Sequence, residues 1–149
     1  MPDFKSKILL ECKRIIAEKT DQLTSALNDI TESSNSESKS SAGDKHETSK
    51  AMMHIEQEKL SNQLSEVKTQ KNELDKITFQ TSTKINTGSL VETNKGLFFI
   101  AVSIGKIKVE GKEVYVISNL SPIGKQLIDN GIKGNFELNS VSYQIISVF

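Results

Sequence analysis

Two carboxylates three residues apart, Asp44 and Glu47, stand directly after Gly43 near the end of the first third of the chain. At the start of a helix, this spacing lets the first acid accept a backbone N–H while the second reaches back, a reciprocal cap worth about 1 kcal/mol. His46 and His54 lie eight residues apart, on one helical face but two turns from each other, too far for both to bind one ion. With Asp44, Glu47 or Glu58 either histidine could sketch a metal site, against the plainer expectation of solvated side chains; no metal is expected in the isolated protein. Cys12 is the only cysteine, which excludes an internal disulfide and any multi-cysteine metal site. It falls in an apolar helical phase and reads as a small core residue. No serine is accompanied by a His–Asp pattern, and no glycine-rich phosphate loop is present.

The elements that must position these residues are long helices. From Asp3 to Glu32, and again from Asp44 to Thr87, there is neither Gly nor Pro. Leu9, Cys12, Ile16, Lys19, Leu23, Ala26 and Ile30 recur in alternating steps of three and four, the a/d seam of a heptad. Met53, Gln57, Leu60, Leu64, Val67, Lys71 and Leu74 repeat it in the opposite phase. If the chain folds back, partners must have residue numbers of constant sum. Leu9 with Leu74, Cys12 with Lys71, Ile16 with Val67, Lys19 with Leu64, Leu23 with Leu60, Ala26 with Gln57 and Ile30 with Met53 all sum to 83. Each layer matches an a with a d position, as an antiparallel coiled coil requires.

That arithmetic predicts a turn near Ser41 and Ala42, in a tip spanning 33–47. Six serines between Ser33 and Ser41 make a poor helix and a poor core, so the first helix is expected to fray near Glu32. Met52 and Met53 are expected to pack near this tip. After the hairpin (1–77), a polar, β-branched stretch over 78–87 reads as a linker. Residues 88–149 then read as a small β-rich domain. Its expected strands are Ser89–Thr93, Leu97–Ile104, Lys106–Glu110, Glu113–Ser118, Asn135–Leu138 and Ser142–Val148. Glu110-Gly111-Lys112 makes a tight turn. One short helix interrupts them, with Ser121 as its N-cap, Pro122 in its first position and Gly131 at its end. The fold class is therefore α+β. About 62 residues make a small β domain, so packing on the hairpin base should help it.

Composition narrows the function classes. The 149 residues carry 19 basic and 19 acidic groups, so no bulk positive field draws the chain to nucleic acid. Hydrophobic residues make up 36% and charged ones 26%, a balance suited to much surface per residue. No apolar run approaches the roughly 20 residues that span a bilayer. No basic start followed by an apolar core and a cleavage site opens the chain. A cytoplasmic protein is expected.

The segment Leu120-Ser121-Pro122-Ile123-Gly124-Lys125-Gln126-Leu127-Ile128 resembles the Ser-Pro-Ile-Ala-x-x-Leu-Ile stretch of bacterial Gre-type transcript cleavage factors. Gly43-Asp44-Lys45-His46-Glu47-Thr48-Ser49-Lys50-Ala51 is similar, without gaps at the glycine and both acids, to the family's tip, Gly-Asp-Leu-x-Glu-Asn-Ala-Glu-Tyr. The resemblance covers the architecture of nearly the whole chain: a hairpin, a link, and a domain expected to be FKBP-like. It implies a factor that inserts its tip into the secondary channel of bacterial RNA polymerase and modulates elongation. Asp44 and Glu47 would be lent to the polymerase's Mg2+ to promote cleavage of backtracked RNA. Leu120, Ser121, Pro122 and Ile123 would help grip the polymerase. The resemblance further implies no active site or cofactor of its own, indirect contact with nascent RNA, no membrane partner and a monomeric state. The sequence departs from the family at Thr48-Ser49-Lys50-Ala51 and at Leu120, where Asn or Asp is usual.

Three other readings remain open at this point. One is a secondary-channel regulator without cleavage activity. Another is a coiled-coil adaptor or chaperone. The third is an FKBP-like prolyl isomerase, though few aromatics (Phe98, Phe99, Tyr115, Phe136, Tyr143, Phe149) are available to line a proline pocket.

Overall fold

A computed structural model describes residues 2–37, 43–80 and 84–149. The chain is α+β: two long helices packed together, then a six-stranded mixed sheet interrupted by one short helix. It forms two compact units. One joins Met1–Lys13 to Asn72–Phe149, and the other is Arg14–Lys71.

Helix α1 runs Pro2–Glu37 and α2 runs Gly43–Asp75. At 1.5 Å per residue these are about 54 and 50 Å long. In the Arg14–Lys71 unit, Ile16, Leu60 and Val67 are buried, and Leu23, Ala26, Ile30, Met53 and Leu64 are half-buried. Across the helix pair, Gln57 Nε2 donates to Thr31 Oγ1 at 3.3 Å.

The seam departs from strict heptads where the sequence puts charge. Lys19 and Lys71 were expected in it; both are exposed, and the half-buried positions are their neighbours Thr20 and Gln70. An ammonium group must stay hydrated, so each helix turns an uncharged polar neighbour inward. Thr20 returns its hydroxyl to the Ile16 carbonyl at 2.8 Å. Leu9 is likewise only half-buried while Ile8 is fully enclosed. The fraying expected at Glu32 does not occur either, since α1 continues to Glu37. Ser34, four residues beyond Ile30 and one past the strict seam position at Ser33, is buried. Serine costs only tenths of a kcal/mol in a helix, less than pairing returns. Met52, expected to pack, is 65% exposed.

In the other unit the strands are β1 Leu90–Thr93, β2 Gly96–Ala101, β3 Gly105–Val109, β4 Lys112–Ser118, β5 Asn135–Leu138 and β6 Val141–Val148, with α3 Pro122–Asn130 between β4 and β5. Their order is β3-β4-β2-β1-β6-β5. Only β2 and β4 are parallel; the other neighbours are antiparallel. The expected strand from Leu97 to Ile104 ends at Ala101, and Gly105, at φ 101°, redirects the chain into β3. Both hairpins β3–β4 and β5–β6 turn on two residues of positive φ, Glu110-Gly111 and Asn139-Ser140. That is the turn geometry that matches strand twist.

Alternation along the strands divides the sheet into two apolar faces. One carries Val91, Phe98, Ile100 and Ile145, packed with Leu127, Ile123 and Ile128 of α3 and with Ile85. On the other, Leu90, Phe99, Val114 and Val116 are fully buried. Within the same compact unit, Phe4, Ile8 and Cys12 of α1 and Leu74 of α2 are also buried. Lys7 pairs with Glu110 at the β3–β4 turn, and Lys112 Nζ lies 5.3 Å above the Phe4 ring. The small sheet thus gains the second layer that its size demands.

Candidate functional site

The segment between β4 and α3 is built by the hydroxyls at its two ends. Ser121 adopts extended backbone (φ −67°, ψ 155°), and its Oγ accepts from Gly124 N–H at 3.1 Å, capping α3. The same hydroxyl donates to the Ser118 carbonyl at 2.6 Å, which also receives the Ser121 N–H at 3.1 Å. Ser118 Oγ in turn accepts the Leu120 N–H at 3.0 Å. These hydrogen bonds among Ser118, Leu120 and Ser121 fix the loop locally. Pro122 holds the first helical position, and Gly131 closes the helix with its N–H on the Leu127 carbonyl at 3.1 Å.

This scaffold sorts the four expected partner-contacting residues. Leu120 is 74% exposed, the most exposed large apolar side chain among those described, and Pro122 beside it is exposed too. Ile123 is half-buried against the α3 side of the sheet, and Ser121 is committed to the cap. Of the four, Leu120 and Pro122 are therefore the ones that face solvent. Ser121 and Ile123 are engaged within the fold.

Asp44 and Glu47 both fall within α2. The helix begins at Gly43, so Asp44 lies inside the first turn rather than ahead of it as an N-cap. Glu47 is exposed. The side chains of Asp44 and His46 lie outside the described residues, as does the expected turn at Ser41 and Ala42. His54 is exposed, and among the described residues no cluster of three or more His, Cys, Asp or Glu is placed to hold a metal ion.

Cys12 is fully buried, and burial pushes its thiol pKa up to about 12, with the charge of Glu11 adding to the shift. A thiol held neutral is a packing group, not a nucleophile.

Lys5 was not singled out from sequence. It is 7% exposed, with Nζ donating to a main-chain oxygen of Phe149 at 3.0 Å and lying 4.8 Å from the centre of the Phe79 ring. Burial lowers its pKa from the usual lysine range. The signal was present: Lys5 precedes Ile8 by three residues and Cys12 by seven, in the apolar phase of α1.

Fold and site together define an α+β chain whose long helical pair accompanies a mixed sheet bearing an exposed leucine at a helix entrance. Compared with protein-family models, curated proteins and solved structures, the chain matches none. No described helix is long and apolar enough to cross a membrane.

Proposed function

We propose that this protein is a Gre-like accessory factor that binds bacterial RNA polymerase, enters its secondary channel with the tip of the α1–α2 hairpin and modulates elongation. The observation that carries the reading is the combination of two motifs on suitable elements. Gly43-Asp44-x-x-Glu47 opens α2 of the helical pair, while Leu120-Ser121-Pro122 stands at the entrance of α3 with Leu120 exposed. On this reading the sheet domain is FKBP-like and supplies the docking surface, and the protein works in the cytoplasm as a monomer. It has no catalytic centre or cofactor of its own, and it meets nascent RNA only inside the polymerase. Asp44 and Glu47 lend carboxylate oxygens to a Mg2+ held by the polymerase, which supplies the charge stabilisation that phosphodiester hydrolysis needs.

A second reading, a channel regulator that does not promote cleavage, is favoured by one residue. Lys50 stands where the resembling family carries a further acid, placing a cation one turn from Glu47. A stalled elongation complex with backtracked RNA separates the two. Cleavage by the full chain that disappears in Asp44→Ala/Glu47→Ala supports the acidic tip. Binding with no cleavage leaves the regulator. Cleavage unchanged in the double variant rejects the tip mechanism.

A further inference from the structure

Asn130-Gly131, at the end of α3, is the one Asn-Gly pair in the chain. A backbone nitrogen that follows asparagine can attack the side-chain carboxamide, and glycine hinders that attack least because it has no Cβ. Solvent reaches the pair. Asn130 is exposed, and a Cβ built on Gly131 would meet nothing within 4 Å.

The fold holds both reacting groups away from each other. Gly131 N–H donates to the Leu127 carbonyl at 3.1 Å. Asn130 Nδ2 donates to the Gln126 carbonyl at 2.7 Å and to Gln126 Oε1 at 3.2 Å, which draws the carboxamide back along the preceding turn. Asn130 is also the last residue of α3, and a five-membered ring between its Cγ and the next nitrogen does not close on helical backbone. The last turn of α3 must open before the two atoms meet.

We propose that Asn130 is a deamidation site gated by the last turn of α3. On opening, Gly131 N loses its proton to solvent base and bonds to Asn130 Cγ, and Nδ2 leaves as ammonia. Water then splits the resulting succinimide at either carbonyl, giving aspartate or isoaspartate. One water is consumed and one ammonia released, with no oxidant or cofactor.

The products act on a closely packed junction. A Cβ on Gly134 would lie 2.7 Å from both the Cβ and the carbonyl oxygen of Asn130, and the Gly134 carbonyl accepts Ile145 N–H at 2.9 Å. Isoaspartate places the former Asn130 Cβ in the main chain, so the entry into β5 has to shift. Aspartate adds a negative charge at the helix C-terminus, where the dipole disfavours it. Neither effect depends on polymerase binding.

The test incubates the full chain, native and unfolded in guanidinium chloride, at one temperature and mildly alkaline pH. Every asparagine-containing peptide is then followed by mass spectrometry, with chromatographic separation of isoaspartate. In the unfolded chain Asn130 is expected to convert first. In the native chain its conversion should be slowed by the factor that protects the Gly131 amide from hydrogen exchange, to within about threefold, since both need the bond to Leu127 released. Asn130→Gln, which would require a larger ring, should remove the mass gain from its peptide. A different asparagine leading in the unfolded chain overturns the proposal, as do equal rates in the native and unfolded chains. A native rate unrelated to Gly131 protection, or a mass gain that persists in Asn130→Gln, overturns it too.

Discussion

Gly124 sits against the Ser118 carbonyl so closely that a side chain on it has no space. A Cβ built there would meet that oxygen well inside contact distance and lie 2.9 Å from Ser121 Oγ. Gly124→Ala should therefore destabilise the protein by about 1–3 kcal/mol, the cost of overpacking a closed site. Urea denaturation measures this, and wild-type stability in the variant would show that the junction relaxes freely.

Asn139 and Ser140 both hold left-handed backbone, at φ 51° and 66°, in the two-residue turn between β5 and β6. Asparagine tolerates this conformation; serine pays for its Cβ. Ser140→Gly should stabilise the fold by roughly 0.5–1 kcal/mol, visible as a melting temperature higher by roughly 2–4 °C. An unchanged or lower temperature would contradict the turn geometry.

The buried Cys12 gives stability a pH dependence of known sign. In the unfolded chain the thiol ionises near its ordinary value of about 8.5; in the folded chain it stays protonated to about 12. Its contribution is fully present below the unfolded value and is lost as pH rises toward 12. Cys12→Ala should be less stable at neutral pH by about 1 kcal/mol through lost packing, and should lose less stability between pH 9 and 11. Parallel alkaline slopes for the two proteins would refute this. Alkylation of the native thiol should also be slow.

Much of the architecture was legible in the sequence because it rests on periodicity and turn chemistry. The strand ends at Thr93, Ser118, Leu138 and Val148, and both ends of α3, follow from alternation and the Ser121-Pro122…Gly131 frame. What the sequence hid was set by tertiary contact. Ile8 rather than Leu9 is enclosed, and Lys19 and Lys71 yield to Thr20 and Gln70, because a seam read as strict heptads ignores which side chains can lose water. Of the candidate site, the cap at Ser121 was readable. The division between exposed Leu120 and inward Ile123 was not, since it depends on where α3 lies on the sheet. Lys5 was missed because lysine on an apolar face reads as a snorkelling surface residue until its neighbours are known.

The exposure of Leu120 makes it separable from stability. Leu120→Asp should leave the denaturation midpoint within about 0.5 kcal/mol of the unaltered chain, because it removes no buried contact. On the proposed function it should weaken binding to core polymerase at least about tenfold, as loss of an apolar anchor does. Equal affinity in a pull-down titration would remove Leu120 from the docking surface.

The most direct test of the central claim is photo-crosslinking from the hairpin tip. A benzophenone at Thr48, an exposed residue in the first turns of α2, is incubated with bacterial core RNA polymerase, and the crosslinked peptide is identified. The proposal predicts a single major adduct on the wall of the secondary channel, suppressed when a Gre factor competes. Adducts elsewhere on the enzyme, or none beyond self-adducts of this chain, would contradict it.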